Sequence, residues 1–289
     1  MRLAKQLVSP RHRNLVFSSV GDQANCHHWL RGRRNFDIWV TYYGQRPAPY
    51  LQMADYYHEH RGSKYQNLHV AYQGWADLLA RYAAIAVFDD DIIISGTQLS
   101  RLFDIRERYD LWALQPAFSP RGKISWPITR VDRRNELRLT SFIEMTCPVF
   151  RRDKLDAFMA VYDPELIGWG CDWWFLDTMG RDLRGRVAVV DAVTCVNPHD
   201  WTKPAGREID RLASTPERKE AWMRVKERYQ IRSEERGTHE YAAVRRQPLS
   251  RMVGRVVDVG ERVWAKVIDV LGRGRSRRAD APPQGVPMG

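Results

Sequence analysis

Residues 81–95 have the sequence RYAAIAVFDDDIIIS, in which an apolar run meets three consecutive acids. Ala83 to Phe88 is short, apolar and uncharged, which is typical of a strand buried inside a sheet. Asp89, Asp90 and Asp91 follow directly. Because adjacent like charges repel one another, we expect another group to neutralise the end of this strand.

Strand and helix patterns alternate on both sides of this strand. Apolar residues at helical spacing predict a helix over residues 65–82, just before the acidic strand end. Elsewhere, β-branched and aromatic runs predict strands, and periodic or capped segments predict helices. The other predicted strands cover 14–20, 36–42, 111–115, 139–150 and 187–190, and the other predicted helices cover 22–31, 98–109, 154–162 and the segment after Gly170. This alternation predicts an α/β fold with a mainly parallel central sheet and flanking helices.

The texture of the chain changes towards its end. We expect one domain over residues 1–203, a charged helical extension over 204–249, an amphipathic helix over 250–272 and a disordered basic tail over 273–289. The apolar and basic faces of the 250–272 helix fit an anionic membrane surface, and they fit packing against protein equally well.

Composition limits the classes of partner. The 289 residues carry a formal net charge of +11, which favours polyanions such as phosphorylated substrates, anionic lipid or nucleic acid. Nucleic acid is the minority interpretation, because no zinc finger or aromatic RNA-binding pattern occurs. The four cysteines show no CxxC spacing, so we expect reduced, partly buried thiols. Without an apolar run of 18 residues or a signal-peptide pattern, we expect a cytoplasmic protein, peripheral on the inner face of the membrane if its tail binds lipid.

The acidic motif indicates a ligand site. Open α/β sheets bind ligands beyond the carboxyl ends of their strands, which is the position predicted for the three aspartates. Carboxylate oxygens suit Mg²⁺ or Mn²⁺, and such an ion bridges carboxylates to a diphosphate; a solvated acidic turn is the alternative. Lys64 and Asn67 fall at the start of the predicted helix, where a lysine and backbone amides suit a phosphate, and Arg61 is an alternative cation.

Two further motifs carry polar groups at predicted strand or helix ends. In GWGCDWW, residues 168–174, aromatic side chains suit sugar rings and Asp172 suits proton transfer from a hydroxyl; core tryptophans and an N-cap are the alternative. Trp173 and Trp174 cannot both face a ligand, so at least one is expected to be structural. His199 follows the late strand, where it suits a metal ion.

The segments FDDDI, SFIEMTCPVF, LIGWGCDWWF and VVDAVTCVNPHD occur in an order that resembles a plant and bacterial family known mainly as a domain of unknown function. LVFSSVGD and FDIWVTYYG resemble the first two strands of that family, so the resemblance covers residues 14–200. Its members look like glycosyltransferases of the GT-A fold. The resemblance therefore implies a GT-A-like, Rossmann-like sheet, followed here by a helical C-terminal extension.

The resemblance also implies roles for individual residues. Asp89 and Asp91 would hold the divalent metal, with His199 as a further ligand, and Asp172 would be the catalytic base. Glu144 would lie on a strand that borders the acceptor pocket. From the residues themselves we also expect Asp22, Lys64, Asn67 and Asp90 on the donor side and Trp169 on the acceptor side.

The leading hypothesis is a metal-dependent transfer of a sugar from a nucleotide sugar to a glycan or glycolipid hydroxyl, as in surface polysaccharide synthesis. We expect an inverting displacement, with acceptor specificity in the stretch 119–137. A nucleotidyltransferase with the same metal–diphosphate site is the first alternative. A non-catalytic glycan- or membrane-binding protein is the second.

Overall fold

The computed structural model describes residues 3–200 and 209–246. The predictions for the helix at 250–272 and the tail at 273–289 lie outside the described residues. The described strands are β1 Asn14–Val20, β2 Phe36–Tyr42, β3 Tyr56–Glu59, β4 Ala84–Val87, β5 Ala113–Phe118, β6 Asn135–Thr140, β7 Val149–Arg151, β8 Val187–Cys195 and β9 Glu240–Arg245. The α-helices are α1 Lys64–Leu79, α2 Gly96–Arg108, α3 Arg152–Val161, α4 Cys171–Thr178, α5 Ile209–Leu212 and α6 Thr215–Arg228.

All nine strands belong to one sheet, in the order β3-β2-β1-β4-β7-β5-β8-β6-β9. The pairs β3–β2, β2–β1, β1–β4 and β5–β8 are parallel. The short strand β7 is antiparallel to both β4 and β5, and β6 is antiparallel to β8 and β9. The predicted α/β fold with a mainly parallel central sheet is therefore confirmed.

Strands β1, β2, β4 and β5 are buried on both faces, which explains why they have nearly continuous apolar sequences. Successive residues of a strand point to opposite faces. In β1, Leu15 and Phe17 belong to the core formed with α1, α3 and α4, whereas Val16 belongs to the core formed with α2.

The order of the strands creates a switch point between β1 and β4. The chain adds β2 and then β3 on one side of β1, and returns through α1 to place β4 on the other side. Open sheets of this kind bind ligands in the crevice outside the carboxyl ends at such a point. Here those ends carry Gly21 and Asp22 after β1, and the three aspartates after β4.

Local capping explains where the two helices beside the crevice begin. Ser63 and Gln66 form a reciprocal capping box at the start of α1, and Ser95 and Gln98 form one at the start of α2. Each box satisfies backbone N–H groups that a helix start leaves without an intrahelical partner. The acidic stretch is thereby held between a strand and a capped helix.

Two sequence predictions about local structure are wrong. The helix expected over 22–31 is a 3₁₀ helix, Cys26–Leu30, because the Asp22 carboxylate is bonded to the loop after β2 and does not cap a helix. The strand expected over 139–150 is two strands, β6 and β7, separated by an irregular segment over 141–148.

The four cysteines are free and buried, as expected.

A helix that spans a bilayer has to be both long and apolar. Between residues 3 and 200 and between 209 and 246, no helix has both the length and the apolar character needed to cross a bilayer.

Candidate active site

The acidic motif lies at the β1–β4 switch point and is tied to the end of β1. The Asp90 carboxylate accepts hydrogen bonds from the Gly21 amide, at 2.8 Å, and from the Tyr43 hydroxyl, at 3.3 Å. Burial, together with the negative charges of Asp91 and Asp89, raises the pKa of Asp90 to about 7. Asp90 is therefore only partly ionised at neutral pH, which limits the negative charge of the motif beside the switch-point crevice.

Lys64 is a counter-charge for this motif. Its ammonium lies 2.8 Å from Oδ1 of Asp89 and donates to the carbonyl oxygens of Met145, at 2.6 Å, and Thr146, at 3.0 Å. The Lys64 side chain is 7% exposed. The lysine predicted to meet a phosphate thus links the first turn of α1 to the end of β4 and to the segment before β7.

The segment that carries His199 runs beside the acidic motif. Ile93 and Val196 form an antiparallel bridge with two backbone hydrogen bonds of 3.0 Å. This bridge brings residues 89–91 and 197–199 to the same edge of the sheet. Within residues 3–200 and 209–246, however, no group of three His, Cys, Asp or Glu side chains is arranged to hold a metal ion.

The other two residues predicted on the donor side make different contacts. Asn67 is fully buried, and its amide group donates to Ser19 Oγ at 2.8 Å and faces His60 Nδ1 at 2.8 Å. Asp22 accepts from the Tyr42 hydroxyl and from the amide of Gln45, and the hydroxyl of Tyr42 is the main cause of its lowered pKa. Through these hydrogen bonds both residues hold together the segments that border the crevice.

A cavity of about 320 Å³ opens beside these residues, lined by residues 42–45 and 59–61. It lies at the carboxyl ends of β2 and β3, next to the N-terminus of α1. The sequence analysis singled out Arg61 from this lining but did not identify the cavity, because its walls come from two loops without a recognisable motif.

Asp172 lies in the first turn of α4, where its Oδ1 accepts a 3.0 Å hydrogen bond from the Trp173 amide. Burial raises the pKa of Asp172 to about 7. Its neighbour Trp173 and the next residue, Trp174, are both buried, so the aromatic pair is structural. A carboxyl group that titrates near neutral pH is suited to general acid–base chemistry.

Glu144 is a second carboxyl group with a raised pKa, about 7, mainly because it is buried. Oε1 accepts from Thr129 Oγ1 at 3.1 Å and Oε2 from Thr146 Oγ1 at 3.2 Å. The negative charge of Asp172 also contributes to the raised pKa of Glu144. Asp172 therefore lies close enough to Glu144 for its charge to affect the protonation of Glu144.

Trp169 is the exposed aromatic residue of the GWGCDWW motif, with 43% of its surface accessible. The ammonium of Lys219 in α6 lies 4.8 Å from the centre of its ring. Next to it, Gly170 packs against Trp222 of the same helix. The extension after residue 208 thus forms part of the surroundings of this motif.

Sequence reasoning did not identify the polar residues that connect these groups. Thr129 and Thr146 hold Glu144, and Gln115 accepts from the Glu144 amide at 2.5 Å. Asn25 donates to the carbonyl of Asp91 at 2.8 Å and so fixes the acidic turn. These residues lie in irregular segments, in a short 3₁₀ helix or inside a strand, and hydropathy periodicity carries no information about such contacts.

Comparison with known proteins gives the fold class. No family model and no curated protein sequence matches the chain, so the resemblance to a domain of unknown function has no support from these comparisons. Among solved structures, S. aureus TarS 1–349 in complex with UDP-GlcNAc matches with a TM-score of 0.53 and 12% identity, covering 74% of this chain and 64% of that one. A second structure of TarS 1–349 matches with a TM-score of 0.49 and 11% identity, over 75% and 72% of the two chains. The described chain has the fold of the TarS glycosyltransferase structures.

Proposed function

We propose that this protein is a glycosyltransferase that moves a sugar from a nucleotide sugar to a hydroxyl group of a glycan or glycolipid. The main support is the position of Asp89, Asp90 and Asp91 at the β1–β4 switch point of a glycosyltransferase-type sheet. Switch points of open α/β sheets are the places where nucleotides bind. TarS, which has this fold, is described in complex with UDP-GlcNAc.

The donor would lie across the carboxyl ends of β1, β2 and β4. The cavity of about 320 Å³ has room for a nucleobase and part of its ribose. The diphosphate would then reach the start of α1, where helix N-H groups and Arg61 favour negative charge. In this proposal Asp22, Asn67 and Lys64 fix the walls around the donor, and Lys64 also orients Asp89.

A divalent ion fits this site by its chemistry. Mg²⁺ is usually held by one or two carboxylates and substrate phosphates, and not by a complete protein cage. Asp89 and Asp91 supply such carboxylates, and His199 follows the neighbouring segment. When bound, Mg²⁺ or Mn²⁺ would neutralise charge on the leaving diphosphate.

Asp172 would act on the acceptor. With a pKa of about 7 it is partly ionised at neutral pH and is able to take the proton of an attacking hydroxyl. The hydroxyl oxygen then forms a bond to the anomeric carbon as the bond to the diphosphate breaks. Attack from the face opposite the diphosphate inverts the anomeric configuration.

Thermal unfolding with a panel of nucleotides and nucleotide sugars, with and without Mn²⁺, tests this function. Ligands that bind only the folded state raise its melting temperature. We expect one nucleotide class to raise the melting temperature of the wild type in the presence of Mn²⁺, and the effect to be lost in Asp89→Ala/Asp91→Ala. Asp182→Ala, a change of an exposed aspartate paired with Arg184, is the control.

The products of the reaction separate the enzymatic alternatives. Release of a nucleoside diphosphate supports sugar transfer, whereas release of pyrophosphate would identify a nucleotidyltransferase. If no nucleotide stabilises the folded wild type under any condition, the proposed function is wrong.

A further inference from the structure

The connection between β5 and β6 carries a partly exposed aromatic residue, Trp126. Its ring centre lies 4.8 Å from that of Phe142 and 5.7 Å from that of Trp173. Both of these partners are buried, and Trp126 forms the outer layer of the three-ring cluster. Trp173 follows Asp172 directly, so the cluster adjoins the carboxyl group assigned to the acceptor.

Hydrogen bonds hold Trp126 against the candidate active site. Its backbone N–H favours the ionised form of Glu144. Thr129 Oγ1 lies 3.1 Å from Glu144 Oε1 and 2.8 Å from the carbonyl oxygen of Trp126. On the other side of Glu144, Thr146 donates to Oε2 at 3.2 Å and its carbonyl accepts the Asp89 amide at 2.9 Å. The donor and acceptor sides are therefore joined through Glu144.

The rest of the connection is also fixed. Arg138 donates to the carbonyl oxygens of Ile128, at 2.9 Å, and Arg130, at 2.7 Å, and pairs with buried Asp191 at 2.8 Å. At the other end, Lys123 binds Asp200 at 2.6 Å. Anchors on both sides of Trp126 make its indole a preorganised surface, which lowers the entropic cost of binding a ligand to it.

We propose that the indole of Trp126 is the platform on which a pyranose ring of the acceptor stacks. The inference rests on the proposed function and names a pyranoside as the acceptor class. An aromatic face packs against the C–H groups of a sugar ring, and the buried rings of Phe142 and Trp173 contact the indole and hold it in place. Trp169 is less suited, because Lys219 lies over its ring.

The test uses the full chain, the donor identified by thermal unfolding and a panel of p-nitrophenyl pyranosides. We expect Trp126→Ala to raise the KM for the accepted pyranoside about tenfold, which corresponds to about 1.4 kcal/mol. Hydrolysis of the donor by water and donor-induced stabilisation should stay at wild-type levels. Trp126→Phe, which keeps an aromatic face, should recover most of the acceptor affinity. Trp126→Leu keeps apolar volume without that face and should behave like the alanine variant.

Trp112→Ala is the matched control, because Trp112 is a partly exposed tryptophan at the opposite end of β5, surrounded by Arg151, Lys154 and Arg186. This variant should leave the acceptor KM unchanged. An unaltered acceptor KM in folded Trp126→Ala, or in Trp126→Leu if the alanine variant does not fold, overturns the inference. So does a wild type that hydrolyses the donor but accepts no pyranoside. A wild type that neither binds nor hydrolyses any donor contradicts the proposed function itself.

Discussion

At the residue scale, Asp172 links the structure to a pH-dependent rate. Its pKa of about 7 means that the fraction in the ionised, proton-accepting form rises as the pH increases through neutrality. The transfer rate should therefore increase between about pH 6 and 8 and then level off.

Asp172→Asn removes the proton-accepting group and keeps the shape of the side chain. We expect it to lower the transfer rate by about 10²–10⁴-fold. Stabilisation by the donor should be retained, since Asp172 is assigned to the acceptor. Rates measured across this pH range with the identified donor and acceptor provide the check, and full turnover by Asp172→Asn would remove Asp172 as the base.

The raised pKa of Glu144 predicts how the free energy of unfolding depends on pH. Its pKa of about 7 in the folded protein exceeds the ordinary value of 4.5, so between these pH values the folded state keeps a proton that the unfolded state has lost. The wild type should therefore lose stability as the pH rises through this window. Because a pKa change of one corresponds to about 1.4 kcal/mol, the loss is on the order of 3 kcal/mol.

Glu144→Gln does not titrate and should gain stability relative to the wild type over the same window, with no further gain above pH 7. Urea denaturation at several pH values measures this difference, with Glu220→Gln, a change of an exposed side chain on α6, as the control. A difference that does not depend on pH would show that Glu144 is ionised throughout.

At the scale of elements, the start of α4 depends on its contact with α6. Gly170 has a φ of +84°, and a Cβ atom there would lie 2.1 Å from Trp222. Gly180 has a comparable φ of +96°, but its Cβ would meet no atom within 4 Å. Comparing alanine variants at these two positions therefore separates the cost of backbone strain from the cost of the steric collision with Trp222.

Both Gly170→Ala and Gly180→Ala should cost about 1–2 kcal/mol for the left-handed backbone. Gly170→Ala should cost about 1–3 kcal/mol more, because Trp222 has to move. Urea denaturation of the two variants gives the difference. Equal losses would mean that α6 does not pack tightly on the GWGCDWW motif.

Strands with strong local patterns were predictable from the sequence. The bounds of β1 and β2 agree with prediction because their residues are β-branched or aromatic and are buried on both faces. β3 has only four residues, and β9 lies in a charged segment where its side chains are mostly exposed, so neither has a clear hydrophobic pattern. The apolar character of residues 139–150 did not reveal that 141–148 is not a strand, because burial and strand formation are different properties.

The candidate site was predictable only in part for a similar reason. Asp89 and Asp172 are themselves part of recognisable motifs, FDDDI and GWGCDWW, and Glu144 lies next to an apolar run. Thr129, Thr146 and Trp126 belong to the site through contacts between segments distant in the chain, which a single sequence does not encode in any local pattern.

At the scale of the whole molecule, the tail is expected to act separately from the sheet. Removing residues 250–289 should weaken binding to phosphatidylglycerol vesicles, because it removes the predicted amphipathic helix and the basic residues after it. Donor hydrolysis should be unaffected. Co-sedimentation with phosphatidylglycerol and with neutral phosphatidylcholine vesicles measures the effect, and unchanged binding of the shortened chain would refute a membrane role for the tail.

The strand β7, Val149–Arg151, stands between two blocks of the sheet. One block, β3-β2-β1-β4, comes from residues 14–87, and the other, β5-β8-β6-β9, from residues 113–245. The strands of each block come from one continuous stretch of chain. β7 itself belongs to the second stretch, and it joins the two blocks by pairing with β4 on one side and β5 on the other. Under the proposed function, Asp22, Lys64, Asn67 and Asp90 on the donor side all precede β5 in the chain, whereas Glu144 and Asp172 on the acceptor side follow it. Substitutions before β5 would then act on donor binding, and substitutions after it on acceptor binding.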